Sequence, residues 1–163
     1  MTTTATETKK FMTSEQLLEH WQGHRNLTRR VIEAFPEKEL FEFSIGGMRP
    51  FAKLAVELIC IAGPGLKGIN EKKMEAYDEE AFNPKTKQEL LAKWDEETEV
   101  INHHFAQISE ERLQETFNLF GQYEFPVYQN ILYFIDNEIH HRGQGYVYLR
   151  ALGMQPPFFW ERF

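Results

Sequence analysis

The chain has little of several things on which whole classes of protein depend. Cysteine is nearly absent: Cys60 is the one cysteine among 163 residues, so no intramolecular disulfide can form. Cys60 stands in the apolar run Leu58-Ile59-Cys60-Ile61 with no neighbouring base to activate it, which predicts a small core residue. The N-terminus shows neither a charged-then-apolar leader nor a long apolar span. We therefore expect a cytoplasmic protein with no membrane partner.

Positive charge is also in short supply. Lysine and arginine total 18 against 25 for aspartate and glutamate, which gives a net charge of −7. Binding to nucleic-acid phosphates needs a basic patch, and acidity of the whole chain opposes it. The basic cluster of Arg25, Arg29 and Arg30 has Glu33 at helical spacing from Arg29 and is typical of a solvated helix face. The composition predicts no nucleic-acid partner.

Several catalytic and binding motifs are missing as well. The sequence contains no internal repeat, no glycine-rich phosphate loop, no serine-centred elbow and no Cys-x-x-Cys. Apolar residues are abundant, because 42% of the chain is hydrophobic and 14 residues are phenylalanine. This composition is typical of a globular protein, and the length suits one domain. We predict a mobile tail over residues 1–12, which lack periodicity, and a single domain over residues 13–163.

Helical periodicity and helix stop signals run through this domain. Thr13 and Gln16 have the form of a capping box at the start of the first helix. The first predicted helix ends at Pro36, and the second runs from about Arg49 to about Ala62, before Gly63-Pro64-Gly65. The third runs from about Thr86 to Ile108, and a short helix that contains Leu113 and Phe117 follows Ser109. The last long helix runs from Phe125-Pro126 to Gly153. The short connection between the first two long helices predicts that they are neighbours. We expect the aromatic tail beyond Gly153 to fold back over the bundle.

The last long helix carries ionisable residues on its apolar face. At 100° per residue, the apolar side chains that share this face are Ile131, Phe134, Ile135, Leu149 and Leu152. Glu138, His141 and Arg142 fall within the same face and Asn137 at its margin, whereas His140 points to the opposite side. Ionisable groups on a core-facing stripe are costly unless they are paired or bind a metal. A buried hydrogen-bond network and a metal site that uses Asn137 and His141, four residues apart, both fit this pattern.

Three further histidines lie on buried faces. His20 and His24 are four residues apart on the core face of the first helix, and beside Trp21 they favour core packing or a pocket lining over metal binding. Glu57 lies at the edge of the core face of the second helix, at a height that matches His24 if the two helices are neighbours. His104 falls within the buried stripe of the third helix.

Two stretches near the C-terminus resemble the closing helix of the DinB/YfiT-like family: Glu138-Ile139-His140-His141-Arg142-Gly143-Gln144 and Tyr148-Leu149-Arg150-Ala151-Leu152-Gly153. Ala34-Phe35-Pro36, which ends the first helix, and Met48-Arg49-Pro50-Phe51, which begins the second, are also similar to that family. The resemblance implies an all-α four-helix bundle with short extra helices and a C-terminal tail packed on the bundle. It also implies a homodimer.

The resemblance carries an implied function. Members of the family hold a divalent metal, often nickel or zinc, with one histidine of the second bundle helix and two of the fourth. Members with assigned activities include metal-dependent thiol transferases, such as bacillithiol S-transferases, and the related mycothiol-dependent maleylpyruvate isomerase. By this likeness we expect a small-molecule ligand and a low-molecular-weight thiol as a cofactor.

This chain departs from the family pattern at two of the three metal positions. His141 matches the last histidine of the fourth helix, but Asn137 stands four residues before it and Glu57 occupies the position of the second-helix histidine. A carboxylate suits zinc or nickel, whereas an amide is a weak ligand. A Glu57, Asn137 and His141 site would bind more weakly, favour a harder ion, need help from a nearby histidine, or bind nothing. The residues expected to line the pocket or to support these ligands are His20, His24, His104, Glu138 and Arg142.

The sequence is compatible with three functions. The first is a metal-dependent transferase or hydrolase, whose ion activates a thiol or a water molecule. The second is a metal-free bundle that serves as a small-ligand binder or a stress-related, non-enzymatic protein. The replacement of two family metal ligands by Glu57 and Asn137 favours this function. The third is a purely structural dimer, which rests on the aromatic tail around Trp160.

Overall fold

A computed structural model describes residues 11–73 and 76–163 of the chain. Most of the tail predicted over residues 1–12 lies outside the described residues. The elements in chain order are α1 (Ser14–Ala34), α2 (Glu37–Glu42), α3 (Phe51–Glu71), a 3-10 turn (Glu79–Ala81), α4 (Lys87–Phe105), α5 (Glu110–Gln114), β1 (Thr116–Leu119), β2 (Tyr123–Pro126) and α6 (Val127–Ala151). The predicted all-α bundle with short extra helices is confirmed, and α1, α3, α4 and α6 are its four long members.

The long helices are arranged so that α1 and α3 lie diagonally across the bundle. Each of them packs mainly against α4 and α6, whereas α1 and α3 touch at few positions. The prediction that these two helices are neighbours was therefore wrong. The reason is the connection over residues 35–50, which contains α2, packed on α3, and is long enough to carry the chain to the far position.

Side-chain caps define the starts of α1 and α4. Thr13 accepts from the backbone N–H of Gln16, and the Gln16 side chain accepts from the backbone N–H of Thr13. Thr86 and Glu89 form the same reciprocal pair at the start of α4. Such boxes satisfy backbone donors that have no partner within the helix. The capping box predicted for the first helix is confirmed.

The predicted end of the second long helix at Gly63-Pro64-Gly65 was wrong, because α3 continues through these residues to Glu71. Pro64 removes one intrahelical donor, yet the packing of the following turns holds the helix together. A Cβ on Gly65 would lie 2.5 Å from the Phe134 ring, so this glycine allows α6 to approach closely. Leu66 and Ile69 beyond the proline are fully buried. Tertiary packing outweighs the local stop signal.

A two-stranded antiparallel hairpin precedes α6. Thr116 pairs with Pro126 and Leu119 with Tyr123. The turn uses left-handed backbone at Phe120 and Gly121, with φ of 55° and 71°. Phe117 belongs to β1, so its predicted place in a short helix was wrong, although α5 does begin after the Ser109 cap as predicted.

The C-terminal tail packs on the bundle as predicted. The backbone carbonyl of Arg162 accepts from the Asn26 amide at 2.7 Å. A Cβ on Gly23 would lie 2.8 Å from the Phe163 ring, so the ring rests directly on the α1 backbone. Within the described residues, no helix has both the length and the apolar character needed to cross a membrane.

Candidate functional site

The inward face of α6 supplies half of the buried polar side chains among the described residues. Glu138, His141 and Arg142 are 2%, 7% and 6% exposed, whereas the neighbouring His140 faces solvent. This agrees with the face predicted from helical periodicity. The bundle allows these groups inside because they are divided between two hydrogen-bonded clusters, one centred on Glu57 and one on Glu138.

Glu57 of α3 is the centre of the first cluster, which we call the Glu57 cluster. Its Oε1 lies 3.0 Å from Nε2 of His141 and accepts from the Asn137 amide at 3.4 Å. Its Oε2 accepts from the Arg49 guanidinium, which stands just before α3. The three positions predicted as metal ligands are thus brought together, and a fourth group, Arg49, joins them.

The contacts of His141 favour its charged form. Its Nδ1 lies 2.7 Å from Oε1 of Gln144, whose amide nitrogen faces Met48 Sδ, so both ring nitrogens point at acceptor oxygens. A ring that carries a proton on each nitrogen can donate to both. Burial lowers the pKa of His141, but hydrogen bonds with Glu57 and Gln144 outweigh it and raise the pKa above 6.5.

The carboxylate partner is correspondingly ionised. Burial disfavours the charge on Glu57, but the hydrogen bonds from His141 and Arg49 outweigh burial and lower its pKa to about 2. Opposite charges at hydrogen-bond distance favour the ionised form of each group. The cluster thus contains the carboxylate of Glu57 and the guanidinium of Arg49, and the raised pKa of His141 favours an imidazolium beside them.

A cavity of about 230 Å³ opens beside this cluster. Arg49 reaches across it to Glu79 of the 3-10 turn, with Nη1 3.3 Å from Oε2. The Tyr77 hydroxyl donates to Glu79, and burial together with this bond raises the pKa of Tyr77, which keeps the phenol neutral. The residues that line the cavity are Arg49, Glu57, Ile61, Tyr77, Glu79, Phe120, Gln122, Tyr123 and Tyr133.

The donor set of the Glu57 cluster, as arranged, does not suit a divalent metal. A histidine ligand must be neutral, yet the contacts of His141 with Glu57 and Gln144 favour its protonated form, and the guanidinium of Arg49 occupies the second oxygen of Glu57. Asn137 turns its amide nitrogen toward Glu57. In the described part of the chain, no three or more His, Cys, Asp or Glu residues are grouped to hold a metal ion. The metal implied by the resemblance stays a prediction.

Glu138 is the centre of the second cluster, between α6 and α1. It accepts from the Thr28 hydroxyl at 2.7 Å and from the Trp21 indole at 3.3 Å. Arg25 lies 3.7 Å and Arg142 lies 4.0 Å from its carboxylate. All five side chains are buried, and their contacts join the two helices.

His24 belongs to the second cluster. Its Nδ1 lies 2.9 Å from a guanidinium nitrogen of Arg142, and its Nε2 lies 3.1 Å from His20 and 3.0 Å from Arg162 of the tail. Burial and the surrounding cations lower its pKa to about 3, so the ring is neutral. Among the described hydrogen bonds of His24 and His20, none reaches Glu57 or His141.

His104 lies elsewhere in the molecule. Its backbone carbonyl accepts from Asn70 at 2.8 Å, and its ring faces a separate cavity of about 460 Å³ between α3 and α4. Burial is the main reason why its pKa is lowered. The sequence grouped His104 with the Glu57 cluster, whereas the structure places it at this separate cavity, which Glu97 also lines.

Four residues of the site, Arg49, Tyr77, Glu79 and Gln144, were not predicted as site residues from the sequence. Gln144 stands three residues after His141, a spacing that places two side chains on one helix face, so it was detectable. Arg49 was noticed only as part of a family-like motif, and no local pattern predicts its pairing with Glu57. Glu79 and Tyr77 come from an irregular segment that carries no periodicity.

Comparisons with known proteins agree with this architecture. The DinB family profile matches residues 1–162, whereas a search of curated proteins found no match. A solved DinB-like protein from Bacillus cereus ATCC 10987 is 17% identical, with a TM-score of 0.73, over 91% of this chain and 98% of that chain. A DinB-like protein from Bacillus subtilis, YjoA, is 20% identical, with a TM-score of 0.69, over 88% of this chain and 97% of that chain. The two structures share the fold, and the family match over nearly the whole sequence means that this chain belongs to the DinB family.

Proposed function

We propose that this protein is a metal-free member of its family that binds a small molecule in the cavity beside Glu57. The observation that carries the proposal is the occupation of both Glu57 oxygens. One is held by His141 and Asn137, and the other by Arg49. The guanidinium and the imidazolium supply the positive charge that a metal ion would otherwise bring.

The cavity has the character of a small-ligand site. It combines aromatic walls with a few charged groups that converge on one end, and such a combination is typical of binding pockets. Its charged groups are already oriented by mutual hydrogen bonds, so little ordering is needed when a ligand binds. Its volume of about 230 Å³ suits a compact organic molecule.

Tyrosine-ring NMR tests this proposal with a library of small molecules. We expect binders to shift the ring resonances of Tyr77 and Tyr133, which line the cavity, and to leave those of Tyr146, which does not. The untagged protein should contain no stoichiometric metal. Binding that shifts Tyr146 alone, or tight metal in the purified protein, would contradict the proposal.

A metal-dependent thiol transferase or hydrolase is the second candidate. It is favoured by the convergence of Glu57, Asn137 and His141 at the family's metal positions. It requires His141 to lose a proton and Arg49 to leave Glu57 for Glu79, which it already contacts. Titration with nickel, zinc and manganese at increasing pH, which removes the proton from His141, tests it. Thiol-dependent activity that appears with the metal would favour this candidate.

A further inference from the structure

A second cavity adjoins the first. It also measures about 230 Å³, and it is lined by Tyr123, Phe125, Gln129, Asn130 and Tyr133. Tyr123 of the hairpin and Tyr133 of α6 line both cavities, and their rings stack with centroids 5.8 Å apart. The stacked pair is therefore the shared border between a charged cavity and an aromatic one.

The lining of the charged cavity holds two carboxylates, Glu57 and Glu79, and one guanidinium, that of Arg49. His141 contacts Glu57 from behind and does not line the cavity. Glu57 is therefore paired with both His141 and Arg49, whereas the cationic contact of Glu79 is the longer one with Arg49. Glu79 is the carboxylate that remains to attract a positively charged ligand.

Aromatic rings surround these carboxylates. Tyr77 and Phe120 meet edge to face with centroids 5.6 Å apart, and Tyr123 and Tyr133 stack on the other side. The negative faces of aromatic rings attract organic cations. A pocket of rings and carboxylates is accordingly better suited to an ammonium or guanidinium group than to an anion.

Glu79 has acceptor capacity to spare. Its side chain is 32% exposed, and its contacts with Arg49 are long, at 3.3 and 3.4 Å. A carboxylate offers about four lone-pair positions, so Glu79 can accept from a ligand N–H without losing Tyr77 or Arg49. Glu57 is more enclosed, at 14%, and both its oxygens are held.

We infer that the ligand of this site is an amphipathic organic cation. Its ammonium or guanidinium group binds at Glu79 among the rings of the first cavity, and its apolar body passes the Tyr123–Tyr133 pair into the second. This inference rests on the proposed function, since it specifies the chemical class of the small molecule. Cations without an apolar body fill one cavity and bind more weakly.

Calorimetry with straight-chain ammonium ions tests the inference. The probes are butyl-, hexyl- and octylammonium, with the alcohols and carboxylates of the same lengths as neutral and anionic controls. We expect the ammonium ions to bind about tenfold more tightly than their controls, as charged hydrogen bonds do. Affinity should rise by about fourfold per added CH₂ until the second cavity is filled.

Two variants assign this binding to the two cavities. Glu79→Gln should weaken every ammonium ion by about tenfold, whereas Glu80→Gln, on the same turn but outside the lining, should change nothing. Gln129→Trp fills the second cavity, and should abolish the gain with chain length while leaving butylammonium unaffected. Thermal melting of each variant verifies that it is folded.

Alcohols or carboxylates that bind as tightly as the ammonium ions would overturn the inference, as would affinities that Glu79→Gln leaves unchanged. If no ammonium ion binds while other library compounds still shift Tyr77 and Tyr133, the inference fails and the proposed function stands. If neither the ammonium series nor the library shifts these two tyrosines, both fail.

Discussion

Glu57 and His141 stabilise the fold over a limited pH range. The pKa of Glu57 is lowered to about 2, so its contribution is present above its ordinary value of 4.5 and is lost as the pH falls toward 2. The pKa of His141 is raised, so its contribution is present below 6.5 and is lost as the pH rises through the folded value. The pair therefore stabilises the protein most between about 4.5 and 6.5.

Replacing Glu57 by glutamine should reduce the loss of stability that the wild type shows as the pH rises above about 6. In Glu57→Gln the imidazolium loses its carboxylate partner, so the pKa of His141 falls and its protonation no longer favours the folded state. We expect the wild type to lose stability between about pH 6 and about pH 9 and the variant to lose less. Urea unfolding at several pH values measures both slopes. Equal slopes would contradict the paired arrangement.

The adjacent histidines offer a matched pair for a second prediction. His141→Ala removes a buried partner of Glu57, and we expect a loss of about 1–3 kcal/mol in the free energy of unfolding. His140→Ala, one residue away on the exposed side, should change it by less than about 0.5 kcal/mol. Chemical denaturation near pH 6 compares them. Similar losses in both variants would mean that the Glu57 contact contributes little.

Sequence reasoning predicted three members of the Glu57 cluster, Glu57, Asn137 and His141, and missed Arg49. The inward direction of His141, Glu138 and Arg142 follows from the 100° turn per residue, which is a local property of the helix. The approach of Glu57 to His141 followed from the family likeness. The pairing of Arg49 with Glu57 depends on where the chain enters α3, and no local pattern specifies that.

At the scale of the elements, a glycine of α6 allows a close contact with α3. A Cβ on Gly145 would lie 2.5 Å from the Phe51 ring, whereas a Cβ on Gly143 would meet nothing within 4 Å. We expect Gly145→Ala to destabilise the protein by about 1–3 kcal/mol through overpacking. Gly143→Ala should stabilise it by about 0.5–1 kcal/mol, because alanine loses less entropy in a helix. Thermal or urea unfolding checks both, and a harmless Gly145→Ala would contradict the close packing.

The contact between α1 and α6 depends on a buried carboxylate. Glu138→Ala would leave the guanidinium groups of Arg25 and Arg142 without their counter-ion, and both are almost fully buried. We predict a loss of about 3–5 kcal/mol. Asp136→Ala, on the exposed side of α6, is the control and should be nearly neutral. Equilibrium unfolding measures the free energy of unfolding of both variants. A Glu138→Ala variant that is as stable as Asp136→Ala would contradict this prediction.

Element boundaries were predictable wherever a side chain caps the helix. The box at Thr13 is short-range and was predicted directly from the sequence, and the structure has a second box at Thr86, where the sequence placed the start of the third helix. The stop signal at Pro64 failed because Gly63 and Gly65 serve close contacts with α4 and α6. The hairpin was missed because its four-residue strands are too short to show an alternating pattern.

At the scale of the whole molecule, the bundle is the part that sequence reasoning reached most fully. Two solved structures share this fold with the chain at 17% and 20% sequence identity. The diagonal placement of α1 and α3 was not predictable, because connection length alone does not distinguish adjacent from diagonal helices. Formation of a homodimer stays a prediction. The rings of Phe159 and Trp160 in the tail, which are 67% and 63% exposed, are apolar surface that a second copy could cover.

We propose that Arg49 and His141, and not a metal ion, neutralise the charge of Glu57. Elemental analysis of the untagged protein tests it most directly, because a polyhistidine tag would bring metal of its own. The wild type and His141→Ala are measured after incubation with nickel, zinc and manganese followed by dialysis. We predict that both contain far less than one metal ion per chain. Near-stoichiometric metal in the wild type that is lost in His141→Ala would contradict this account.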